Sequence, residues 1–179
     1  MTQRSCGSCS LCCKLFAIDE LAKPEDVWCQ HCRPGKGGCS VYAARPEGCR
    51  TFVCSWLNGQ LPDSWYPPRS KMVARFILSG KGVPLLDIRV DTNYPNRWRE
   101  EPYYSSIKRA SAWGMSLPED EVFATRVSVG DKIFFVFPTR EIERKSEINA
   151  DEKRAIEAEF VAACAEFDAL RQLPAGGAP

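Results

Sequence analysis

Nine of the chain's ten cysteines fall in the first third of its 179 residues: Cys6, Cys9, Cys12, Cys13, Cys29, Cys32, Cys39, Cys49 and Cys54. Thiols this dense either cross-link as disulfides or hold soft metal ions. Cys6-Gly-Ser-Cys9 is a Cys-x-x-Cys knuckle, Cys9-Ser-Leu-Cys12 repeats the step, and Cys29-Gln-His-Cys32 is a third. Two intervening residues let a tight turn aim both thiolates at one ion, and glycine and serine there leave backbone N–H groups free to point at sulfur. Adjacent side chains diverge in most backbone conformations, so Cys12 and Cys13 are expected to serve different ions or different parts of one cluster. Cys39 follows the loop Pro34-Gly35-Lys36-Gly37-Gly38, and Cys49 and Cys54 bracket Arg50-Thr51-Phe52-Val53.

Nine thiols exceed one four-coordinate site. Two ions with four cysteines each would use eight, bridging thiolates would extend the set to a three-ion cluster, and an iron–sulfur cluster beside a zinc site is a third arrangement. Soft donors favour zinc or iron over magnesium or calcium, and more than one ion is expected. Residues 1–57 carry seven Lys/Arg and five Asp/Glu, a balance of +2. Eight thiolates around two divalent ions leave about −4 on the sites. Arg45 and Arg50 lie close in sequence to Cys39 and Cys49 and are placed to offset that charge, unless they are simply solvated.

The whole chain narrows the choice. Its formal net charge of +1 gives no reason to expect specific nucleic-acid or anionic-membrane binding. The start, MTQRSCGSCS, has no apolar segment of a secretory signal, and no apolar run approaches the ~20 residues of a membrane span. A cytoplasmic location is expected, where thiols stay reduced and metal ligation is favoured over disulfides.

The elements that must position the thiols follow. Residues 1–57 show little periodicity and read as a cysteine-rich module held together by ions rather than by burial. Residues 58–70 form a proline-rich connector. Residues 71–173 read as an α+β unit. Lys71–Leu78 and Leu86–Val90 alternate as strands, the second with Asp87, Arg89 and Asp91 on a wet face, joined by a loose hairpin over 79–82. Strands over 122–129 and 132–137 flank a Gly130-Asp131 hairpin turn. Between the hairpins a helix is expected over 102–113, with Tyr103, Ile107, Ala110 and Trp113 on its apolar face and Gly114 at its end. Asn149 and Glu152 form a capping box, followed by the stripe Ile156, Phe160, Ala163, Phe167 and Leu170. Residues 174–179 read as a disordered tail. Trp98 and Trp113 are expected in the core, and Cys164 as a partly buried, inert thiol.

The run Cys6-x-x-Cys9-x-x-Cys12-Cys13, then Cys29, then Cys39-Ser-Val-Tyr42-x-x-Arg45-Pro46-x-x-Cys49-Arg50-x-Phe52-x-Cys54-x-Trp56 resembles the CxxCxxCC family of zinc- or iron-chelating proteins, the YkgJ-type cysteine cluster proteins. A related module occurs in bacterial flagellin lysine N-methylases. The likeness covers residues 6–57 and implies eight ligand candidates: Cys6, Cys9, Cys12, Cys13, Cys29, Cys39, Cys49 and Cys54. Cys32 departs from the pattern and is either a ninth ligand or a redox-sensitive spare. His31, the single histidine, is read as a surrounding donor or surface residue rather than a ligand. Tyr42, Phe52 and Trp56 are read as aromatic cover for the site.

The reading is therefore an α+β protein with an N-terminal metal-binding module packed on a small antiparallel sheet and two helices. Its partners are metal ions, with or without a protein partner at an interaction surface. No catalytic residue is assigned. The alternative is an iron–sulfur-cluster enzyme or accessory subunit acting in protein modification.

Overall fold

The structure, a computed structural model, describes residues 4–34, 36, 38–80 and 82–172. The expected tail over 174–179 lies outside the described residues, as do Lys81 of the first hairpin link and Gly35 and Gly37 of the loop before Cys39.

The chain mixes helices and strands. In order they are α1 (Cys12–Leu15), α2 (Glu47–Thr51), α3 (Pro67–Ser70), β1 (Met72–Leu78), β2 (Pro84–Val90), α4 (Tyr103–Ser116), β3 (Ala124–Val129), β4 (Lys132–Val136), β5 (Glu141–Lys145) and α5 (Ala150–Gln172). The strands form one sheet in the order β1-β2-β3-β4-β5. Three pairings are antiparallel, and β2 pairs with β3 in parallel. The expectation of a wholly antiparallel sheet is thereby corrected. A parallel pair needs a long crossover, and α4 is that crossover. The fifth strand, Glu-Ile-Glu-Arg-Lys, was not expected because its single apolar residue shows no alternation. Ile142, only 1% exposed, is what draws it onto the sheet.

Alternation then assigns the two faces. Met72, Ala74, Leu86, Ile88, Val90, Val127, Phe134 and Val136 bury one face against Trp98 and against Tyr103 and Ile107 of α4. Trp98 is fully buried, as expected, but Trp113 is 58% exposed. The buried stripe of α4 is Tyr103, Ile107, Ser111 and Gly114 instead. The Ser111 hydroxyl donates to the Val136 carbonyl at 2.6 Å, so a small polar residue docks where a tryptophan was expected. The helix also continues through Gly114 to Ser116. Glycine stands there because Phe123 presses on it: an added Cβ would lie 2.6 Å from the ring.

Two units cover the opposite face. Over β4 and β5, Phe137 and Ile142 pack on Ala163, Ile156 and Phe160 of α5. The capping box forms as expected: the Asn149 N–H donates to Glu152 at 2.8 Å, and the Glu152 N–H donates to Asn149 Oδ1 at 2.9 Å. Leu170, expected on the apolar stripe, is exposed, as is Cys164. Over β1, Val73 packs on Leu11, Leu15, Phe16 and Cys54 of the cysteine-rich segment. No helix among the described residues is long and apolar enough to cross a membrane.

Candidate metal centre

The cysteine-rich segment is built from tight turns tied to one another by backbone hydrogen bonds. The Cys9 N–H donates to the Cys6 carbonyl at 2.7 Å, closing the first knuckle, and Gly7 there has φ +49°, a conformation that favours glycine. Cys12 and Cys13 open α1. The Cys29 N–H donates to the Cys13 carbonyl at 3.0 Å, bringing the third knuckle against the first two, and the Cys32 N–H donates to Cys29 at 2.9 Å. Cys32 and Cys39 face each other in an isolated antiparallel bridge. Cys49 sits in α2, started by Pro46.

These turns surround a cavity of about 350 Å³. Eight of the nine clustered cysteines line it: Cys6, Cys9, Cys12, Cys13, Cys29, Cys32, Cys39 and Cys49. Cys54 does not, lying instead in the apolar cluster under Leu15 and Phe16 while remaining close enough to raise the pKa of Cys6 and Cys9. All ten cysteines are free thiols. Cys12 and Cys13 both line the cavity. The interaction of the two neighbouring thiols, with burial, holds Cys12 above the ordinary thiol range, and the same interaction holds Cys13 below it. Burial pushes the Cys32 thiol up to about 11. Burial, then the thiolates of Cys13, Cys29 and Cys39, pushes Cys49 up. The donors fit a soft cation in type and number. In position they stand apart, for among the described residues no three His, Cys, Asp or Glu side chains gather closely enough to grip one ion.

The charged residues around the cavity divide differently from expectation. Arg45 lines it, stacks on Tyr42 with its guanidinium carbon 3.7 Å from the ring centroid, and partly offsets the rise that burial imposes on the Cys6 pKa. Arg50 points away and pairs with Glu47 at 3.1 Å on the surface. Arg75 lines the cavity from the sheet, over the Phe16 ring at 4.3 Å, and nothing in its sequence setting marks it. The buried Lys23 was missed too. Its ammonium donates to the Lys14 carbonyl at 2.7 Å and to the Phe16 carbonyl, completing the C-terminal end of α1 beside Cys13 and Cys29. His31 lines the cavity. Of the expected aromatic cover, Phe52 lines the cavity against Phe16, Tyr42 lines it at the exposed side, and Trp56 packs on both apolar clusters.

A second correction concerns the strand face expected to be wet. Asp87 is completely buried, and Asp91 nearly so. Asp87 sits among Arg75 at 3.2 Å, Arg126 at 2.8 Å and Arg89 at 3.6 Å. Asp91 pairs with the equally buried Lys14 of α1. Alternation in sequence marks a face but not what covers it: here the sheet's own arginines surround Asp87, and Lys14 of the cysteine-rich segment meets Asp91. Comparison with protein families, with curated proteins and with solved structures finds no match for this chain.

Proposed function

We propose that residues 6–54 bind zinc or iron, with more than one ion per chain, in the thiol-lined cavity. The observation that carries this reading is the convergence of eight cysteines from separate turns on one cavity, with Arg45 and Arg75 on its wall and Lys23 near Cys13. Thiolates are ligands for such ions, and cations around them offset the charge left on a four-thiolate site. The turns that carry the sulfurs have few buried apolar side chains, so metal uptake and local ordering are coupled. Residues 6–57 also carry the pattern of the CxxCxxCC family, which supports the same reading. The protein is read as a metal-binding protein; no residue of the cavity is assigned a catalytic step.

The test is anaerobic titration of reduced, metal-free protein with zinc, counting the thiols that become resistant to a maleimide. Eight or nine protected thiols are expected, with Cys164 still labelled. Ten reactive thiols at saturating zinc would defeat the proposal.

A further inference from the structure

Cys32 is the one clustered cysteine that the family pattern does not ask for, and the structure places it directly across from Cys39. The Ser40 N–H donates to the His31 carbonyl at 2.8 Å, and the Arg33 N–H donates to the Gly38 carbonyl at 3.3 Å. These two bonds flank the Cys32–Cys39 bridge on either side, which makes the cysteines a non-hydrogen-bonded antiparallel pair. In such a pair the α-carbons lie about 4.5 Å apart and the side chains leave the same face. That separation lies inside the range of about 4.4–6.8 Å that a disulfide spans. Both residues are half-buried, so a small oxidant reaches them.

The geometry points to Cys32 and Cys39 as a disulfide-forming pair, oxidised by hydroperoxides, that withdraws Cys39 from the cavity's donor set. The withdrawal rests on the proposed metal-binding role; the disulfide itself does not. The step balances. One thiolate attacks the peroxide, the O–O bond breaks, and the leaving oxygen takes up the proton as alcohol or water, leaving a sulfenic acid. The second thiol attacks that sulfur, the S–S bond forms, the S–O bond breaks, and hydroxide departs with the second thiol's proton as water. The two thiols lose two electrons and the peroxide gains them. Cys32 acts as the resolving thiol that keeps Cys39 from oxidising further.

Reduced protein treated with one equivalent of hydrogen peroxide, digested without reductant and mapped by mass spectrometry tests this. The expected product is a Cys32–Cys39 cross-linked peptide, reversed by dithiothreitol, with loss of metal capacity in step with its yield. In Cys32→Ser treated with two or more equivalents of peroxide, Cys39 should instead proceed through sulfenic to sulfinic acid. A different partner for Cys32, Cys13 above all, or no disulfide, overturns the pair. A Cys32–Cys39 bond that leaves metal capacity unchanged in a protein that binds zinc overturns the withdrawal. A protein that forms the bond and never binds metal keeps the pair and removes the proposed function, so the two failures are told apart.

Discussion

A cysteine's neighbourhood, more than its spacing, separates its role from its neighbours'. Cys49 and Cys164 make the contrast: one lines the cavity within reach of Cys13, Cys29 and Cys39, and the other is exposed on α5. Cys49→Ser should lower bound metal by roughly one ion per chain, since a hydroxyl is a harder, poorer ligand. Cys164→Ser should leave it unchanged, and elemental analysis of the two variants checks both. The thiols also predict a pH response. Burial pushes Cys9 from its ordinary 9.0 up to about 11, so the folded, metal-free protein holds this proton longer than the unfolded chain does. The stability it contributes is complete below pH 9 and is lost as pH rises through about 11. Denaturation midpoints of metal-free, reduced protein should therefore fall between those values; a flat profile would contradict the assignment. At Asp87, one wholly buried carboxylate faces three guanidinium groups. Asp87→Asn should cost about 3 kcal/mol, measured by urea unfolding, because those charges lose their counter-charge in a poorly hydrated place.

At the scale of elements, α4 shows how packing chooses a helix's inner face. Its side against the sheet is lined by small residues where the sheet and Phe123 come closest, and Trp113 is displaced outward to lie edge-on to Phe123 at 5.5 Å. Gly114→Ala would set a methyl carbon 2.6 Å from that ring. It should destabilise the fold by about 1–3 kcal/mol in thermal or urea unfolding while leaving metal content intact. Four of the strands, both long helices and the α5 capping box were legible in the sequence, because alternation, heptad-like spacing and cap chemistry are local. The parallel pairing of β2 with β3, the strand β5 and the burial of Asp87 were not legible. Each depends on a partner distant in the chain. The same holds at the cavity: the cysteines declared themselves by spacing, whereas Arg75 reaches it only through folding.

For the whole molecule, the cysteine-rich segment does not stand apart from the sheet. Leu11, Leu15 and Phe16 pack on Val73, Lys14 pairs with Asp91, the Ser55 N–H donates to the Ala74 carbonyl at 2.8 Å, and the Arg4 guanidinium donates to the Trp56 and Leu61 carbonyls at 2.6 Å. These ties hold the two ends of the segment, while among the described residues of 19–51 the one buried apolar side chain is that of Cys29. Chelation should therefore remove hydrogen-exchange protection over 19–51 first, leaving α1 protected with the sheet. Simultaneous loss of protection in α1 would mean that the ion, not the sheet, holds it. The central claim is that the cavity binds metal, and elemental analysis of protein purified anaerobically under reducing conditions tests it most directly. The account predicts about two equivalents of zinc plus iron per chain, with zinc giving a colourless protein and an iron–sulfur cluster a brown one. Less than about one equivalent in reduced, folded protein would contradict it.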